Sequence, residues 1–275
     1  MAVKARRVTN NKPQLKAIPQ ERWKGTILDL KGIGHGISGM VFLINERRVL
    51  KAGFGSSQSL AEIETERMAY RILEGAKKPS PHVLRCFDTE DPRGLVLERC
   101  HETLRRRLKS IPQDTTLCDV EVRIWAKQAA EGLAFIHDHY IIQGDVGCHN
   151  MLLGEANILK ICDFAGSSVA GSHAVVDYEV WSKSPSIDEP TKQSDLFALG
   201  SAIYEMSTKL PPYHGKPWAE ITKLYQRGQF PSLNEVGKMA NVIANCWSQK
   251  YAYATEIVHE IDPQMSLCCG LTRSR

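Results

Sequence analysis

The sequence predicts an α+β fold, with strands gathered around one helix early in the chain and helices dominating the remainder. Three observations carry this. Two β-reading segments, Met40 to Ile44 and Arg48 to Ala52, flank a turn at Asn45-Glu46-Arg47. Ser57 to Leu73 contains no Gly or Pro and sets Glu66, Tyr70 and Leu73 at i, i+4 and i+7, one face of a helix. Ser194 to Met206 is apolar nearly all round, the pattern of a buried helix. A chain of 275 residues is long for a single core and suits two lobes of one unit.

The elements follow in order. Gly34-His35-Gly36-Ile37-Ser38-Gly39-Met40-Val41 opens the first strand. Glycines at Gly34, Gly36 and Gly39 suit a loop whose backbone must approach phosphate oxygens closely. The second strand carries Lys51 near its end, and the helix that follows offers Glu66 as its partner, with Glu62 one turn earlier as the fallback. Gly94 to Cys100 is an apolar strand that breaks into polar sequence. Val120 to Tyr140 reads as a long helix with Val122, Trp125, Ala129, Leu133 and Ile136 on one stripe. Pro211-Pro212 is expected to end the helix that contains Asp195, and Val242 to Ile261 reads as closing helices.

Composition narrows the function classes. Hydrophobic content of 43% and charged content of 24% are ordinary globular values. There is no internal repeat and no apolar run of membrane-spanning length. The first 24 residues hold seven Lys or Arg against Glu21, so a chain of net charge +4 carries −2 elsewhere. That near-neutral body argues against a nucleic-acid-binding fold. Arg105-Arg106-Arg107 with Lys109 is a second basic cluster, read as a solvated helix face. The eight cysteines lack CxxC or zinc spacing and suit reduced thiols, hence a cytoplasmic or nuclear setting. Cys162 reads as a small apolar filler.

The chemistry concentrates in Asp145-Val146-Gly147-Cys148-His149-Asn150 and in Asp163-Phe164-Ala165-Gly166. An Asp with an Asn five positions on has the spacing of a phosphotransfer loop. The second Asp, just past the apolar run Ile158 to Cys162, is placed to bind magnesium. Together with the glycine-rich loop, the strand-borne Lys51 and the helix around Asp195, these motifs resemble the protein kinase superfamily across about residues 30–262. The resemblance implies a bilobal protein kinase-like fold, with a small antiparallel β-sheet lobe bearing one main helix and a larger, mainly α-helical lobe. It implies a domain over residues 26–262, with an N-lobe of about 26–97, a hinge of about 98–101 and a C-lobe of about 102–262. A flexible basic arm (1–25) and a tail (263–275) flank it.

The resemblance also assigns roles. Gly34, Gly36, Gly39 and Val41 would cover ATP, Lys51 would grip its phosphates, and Glu66 would orient Lys51. Leu97 would back the adenine pocket, and the backbone from Glu98 to Cys100 would meet the base. Asn150 and Asp163 would hold Mg2+, and Asp145 would accept the proton of the attacking hydroxyl. Asp195 would bond the catalytic-loop backbone. The implied enzyme is a monomeric protein kinase acting on protein substrates, with Ser/Thr favoured over Tyr.

Several positions depart from the family pattern. Gln143-Gly144-Asp145 stands where His-Arg-Asp is usual, and the absent Arg removes its pairing with a phosphate on the activation segment. Gly147 replaces a Lys that contacts the transferring phosphate. His149 stands where tyrosine kinases can carry an Arg, and reads either as its substitute or as a structural His. Ala165 takes the place of a Gly, with Gly166 available as the hinge. No Ala-Pro-Glu follows, and Asp163 to Asp195 spans only 32 residues. Losing one transition-state donor costs about 10²–10³ in rate, so a slow, atypical kinase is expected. Two other readings share the motifs: a pseudokinase scaffold that binds nucleotide and partners, and a small-molecule phosphotransferase. Ser167, Ser168, Ser172, Tyr178 and Ser182 are candidate modification sites or plain loop residues, and Cys268-Cys269 a weak acylation signal.

Overall fold

The computed structural model describes residues 25–36, 38–175 and 177–262. The basic arm through Lys24, Ile37 of the glycine-rich segment, and the tail with Cys268-Cys269 lie outside the described residues.

Strands β1 (Lys31–His35), β2 (Met40–Asn45), β3 (Arg48–Ala52), β4 (Cys86–Asp88) and β5 (Leu95–Glu98) form an antiparallel sheet in the order β1-β2-β3-β5-β4. The β2–β3 turn closes because Asn45 Oδ1 accepts the Arg47 N–H at 2.9 Å, the local bond that favours Asn in turns. The resulting register pairs Val41 with Lys51, and Lys51 with Leu95. Alternation along β3 turns Leu50 and Ala52 to a small cluster with Val96. Val49 points the other way, into the main core, and Lys51 shares that face.

Helix α1 (Ser57–Glu74) begins where Ser56 Oγ accepts the Ser59 N–H at 3.1 Å, a cap worth about 1 kcal/mol. Ile63, Ala69, Tyr70 and Leu73 bury its inner face, and Glu66 sits among them. Helix position alone would leave a glutamate there costly, so its burial requires a partner.

The second lobe is mainly helical. Beyond β5, β6 (Glu102–Thr103) leads directly into α2 (Leu104–Ser110), followed by α3 (Asp119–Asp138). The expected α3 stripe is confirmed, with Val122, Trp125, Ala129, Leu133 and Ile136 all buried. Each large apolar side chain so buried contributes about 1.5–3 kcal/mol. Short strands β7 (Ile141–Ile142), β8 (Met151–Leu153), β9 (Leu159–Ile161) and β10 (Ser168–Val169) frame the loop between α3 and α4 (Lys192–Thr208). They pair as β6-β8-β9 and β10-β7. Helices α5 (Trp218–Gln226), α6 (Ala240–Trp247) and α7 (Ala254–Ile261) complete the lobe.

Helix α4 is buried from Ser194 to Ile203 without a break. Thr191 and Ser194 cap it reciprocally: Thr191 Oγ1 accepts the Ser194 N–H at 3.2 Å, and Ser194 Oγ accepts the Thr191 N–H at 2.7 Å. Its end departs from the expectation at Pro211-Pro212. The helix stops at Thr208, and Lys209 turns left-handed at φ 64°. Buried Lys209 then donates Nζ to the carbonyls of Pro112, Gln113 and Thr115 at 2.7–2.8 Å. An ammonium that finds three acceptors decides the helix end before the prolines are reached.

Candidate active site

A cavity of about 810 Å³ opens between the sheet with α1 and the helical lobe. Every residue assigned a nucleotide, metal or proton-transfer role from the sequence lines it: Gly34, Gly36, Gly39, Val41, Lys51, Glu66, Leu97, Glu98, Cys100, Asp145, Asn150 and Asp163. Of the three glycines, Gly39 is fixed by packing. A Cβ there would lie 2.3 Å from the Ala52 carbonyl oxygen on β3, whereas the same atom on Gly36 would meet nothing within 4 Å.

Lys51 is the centre of the polar wall. Its Nζ lies 2.6 Å from Glu66 Oε2 and 2.7 Å from Asp163 Oδ1. Glu66, rather than the fallback Glu62, is therefore the helix carboxylate that meets Lys51. Burial alone would depress the Lys51 ammonium, but the Glu66 and Asp163 charges overcome it and raise it further. Burial likewise lifts the Asp163 carboxyl, and Lys51 outweighs that to hold it below its ordinary value. The left-handed backbone of this motif is at Asp163 itself, φ 63°. Gly166 takes no positive φ, so the hinge expected there lies instead on the aspartate, and Ala165 is free of strain.

Gln143 shows why His-Arg-Asp is dispensable for building the loop. Its buried side chain accepts the Asp145 N–H through Oε1 at 2.6 Å and donates Nε2 to the Asp163 carbonyl at 3.1 Å. One amide thus ties the two carboxylate-bearing segments together, using both ends of its donor-acceptor pair. Gly144 takes φ 81°. Asp195, fully buried on α4, accepts the Gln143 and Gly144 N–H groups at 2.9 and 3.0 Å. Its carboxylate is also 2.8 Å from His137 Nε2 and accepts the Tyr178 hydroxyl at 2.7 Å. Asn150 donates Nδ2 to the Asp145 carbonyl and carboxylate, both at 3.0 Å.

His149 lies in the cavity wall, with Nε2 3.0 Å from Asp145 Oδ2 and Nδ1 3.2 Å from Glu179 Oε2. Burial pulls the imidazole down, but its contacts with Asp145 and Glu179 lift it to about 9. Burial pushes the Asp145 carboxyl up, with His149 opposing.

The sequence reading missed the partners behind His149. Arg105 does not belong to a solvated helix face. It pairs with both oxygens of Glu179 at 2.6 and 2.7 Å and with both of Glu205 at 2.7 and 2.8 Å. Leu104 and Leu108, spaced i, i+4 and both fully buried, seat the helix so that Arg105 turns inward. That apolar pair inside the basic run was the available signal. The candidate modification sites also change. Ser167, Tyr178 and Ser182 are buried, whereas Ser172 is exposed. Cys162 is buried, and its Sγ donates to the Asn150 carbonyl, in keeping with a filler.

Comparison with known proteins bears on this arrangement. The protein kinase domain family matches residues 29–261. The serine/threonine-protein kinase TAO2 of Homo sapiens is 28% identical over 197 residues, 67% of this chain and 16% of that protein. TAO1-A of Xenopus laevis is 27% identical over the same length, and TAO3 of Rattus norvegicus 26% over 198 residues, covering 20% and 22% of those proteins. The chain thus spans about a fifth or less of the length of most of the relatives it matches.

Proposed function

Because the chain belongs to the protein kinase family, we propose that it transfers the γ-phosphate of Mg-ATP to a protein hydroxyl. Serine or threonine is favoured over tyrosine, since the similar proteins are serine/threonine-protein kinases. The observation that carries the proposal is the convergence of Lys51, Glu66, Asp163, Asp145 and Asn150 on one cavity, with Lys51 bonded to two of the acids.

Each residue has a task in this reading. Glu66 fixes Lys51 so that its ammonium faces the cavity and can grip phosphate oxygens. The β1–β2 turn supplies glycine backbone over the nucleotide, and Leu97 with the Glu98–Cys100 backbone bounds its base. Asp163 and Asn150 would hold magnesium. The carboxylate of Asp163 is 36% exposed within the cavity, and both residues offer the hard oxygens that this ion prefers. When bound, magnesium neutralises charge on the phosphates. Asp145 takes the proton of the attacking hydroxyl, and burial, by raising its carboxyl, makes it the stronger base.

Gly147 leaves the transferring phosphate without the usual Lys. One missing donor costs about 10²–10³ in rate, against a typical kinase turnover of roughly 1–100 s⁻¹, so the proposed enzyme is slow.

The test is γ-phosphate transfer from Mg-ATP to the protein itself and to a mixed protein substrate, with Asp145→Asn in parallel. Incorporation that vanishes in the variant supports the reading. Incorporation equal in the two removes Asp145 from the role of base. A folded wild type that transfers nothing to protein overturns the reading in favour of a nucleotide-binding scaffold, or of a small-molecule phosphotransferase if small alcohols are phosphorylated instead.

A further inference from the structure

Position 147 and His149 are one feature. A Cβ on Gly147 would lie 2.6 Å from His149 Nδ1 and 2.7 Å from Cε1, so the ring occupies the space a side chain at 147 would need. The ring is held on both sides, by Asp145 at 3.0 Å and Glu179 at 3.2 Å. Glu179 is in turn the most heavily bonded residue of the segment between Asp163 and Asp195. Its two oxygens accept from Arg105 at 2.6 and 2.7 Å and from Trp181 Nε1 at 3.0 Å. Arg105 uses its remaining edge on Glu205, which is buried in α4. Two glutamates share one guanidinium, which leaves one negative charge uncompensated beside the imidazole.

We propose that Glu179 is a positioning residue for Asp145: through His149 it holds the carboxylate of the base in place, anchored to α4 by Arg105 and Glu205. The lock needs no modification of the chain, because its anion is a built-in carboxylate. It therefore does the work that the missing arginine at Gly144 and the missing side chain at Gly147 leave undone. What Asp145 does rests on the phosphotransfer reading, but the lock is a property of the free protein.

A double-mutant cycle on the full chain tests it. Glu179→Gln keeps the shape and the ability to accept from Arg105 and Trp181, and His149→Ala removes the ring. Each single change is expected to lower kcat about tenfold, with KM for Mg-ATP unchanged within about twofold. The double variant is expected to lose no more than the worse single one, because Glu179 acts through His149. Independent losses that multiply overturn the proposal. A purely structural Glu179 would instead lower the melting temperature equally in both backgrounds and multiply the loss in kcat.

A second measurement does not depend on turnover. With ¹⁵N-labelled histidine, the His149 ring signals, identified by their loss in His149→Ala, should shift in Glu179→Gln. Unmoved signals overturn the lock. If the wild type transfers no phosphate, the phosphotransfer reading fails by itself, and these signals alone decide whether Glu179 holds His149.

Discussion

Gln143 accepts the backbone N–H of Asp145 through its side-chain oxygen at 2.6 Å, and the same amide donates to the Asp163 carbonyl at 3.1 Å. Gln143→Ala leaves both groups without this partner in a buried setting. An unsatisfied buried polar group costs about 1–3 kcal/mol, so the variant should lose about that much stability in urea unfolding. The loss of order should also reach both acids at once, lowering phosphotransfer.

Lys51 and Glu66 form a buried ion pair at 2.6 Å, with side chains 8% and 1% exposed. Removing one partner from such a pair costs about 3–5 kcal/mol, because the other charge is left buried. Lys51→Met should therefore be strongly destabilised as well as inactive. Replacing both charges, as in Lys51→Met with Glu66→Leu, should recover much of the stability and none of the activity. Denaturant midpoints of the two variants check this.

Asp195 gathers the Gln143 and Gly144 amides, His137 and the Tyr178 hydroxyl. Tyr178→Phe removes one donor of several and should cost about 1 kcal/mol. Asp195→Ala strips the acceptor from all of them and should cost more than any one bond, with loss of phosphotransfer. Because Tyr178 is buried while Ser172 is exposed, a modifying kinase acting on the folded chain should label Ser172 and spare Tyr178, as read by peptide mass spectrometry.

Glu179 supplies a pH test of stability. Burial pushes its carboxyl up, but donors from His149 and Arg105 outweigh burial and hold it at about 2 rather than 4.5. A depressed carboxyl stabilises fully above its unfolded value and loses that stabilisation as pH falls through the folded one. The wild type should therefore lose melting temperature between pH 4.5 and about 2 more steeply than Glu179→Gln. Equal slopes would show that Glu179 is not held by these donors in solution.

The contrast between Glu66 and Glu179 explains what was legible beforehand. Glu66 shares a helix face with Tyr70 and Leu73, downstream of a strand-borne lysine, so spacing alone nominated it. Glu179 lies in an irregular segment with no periodicity to interpret, and its anchor Arg105 is 74 residues away inside a run of arginines. Gln143 was visible only as a departure from a familiar triplet, not as the clamp it forms.

The sequence by itself determined the hairpin that carries Lys51, the inward faces of α1, α3 and α4, and the spacing of Asp145, Asn150 and Asp163. These depend on backbone periodicity and on neighbours within a few residues, which local order expresses directly. Only the tertiary structure decided that Arg105 is buried between Glu179 and Glu205, that His149 fills the space beside Gly147, and that Lys209 ends α4 on three carbonyls. Each of those depends on charged or polar groups brought together from distant parts of the chain. Their burial is tolerable only once the partners meet, so no local pattern could announce it.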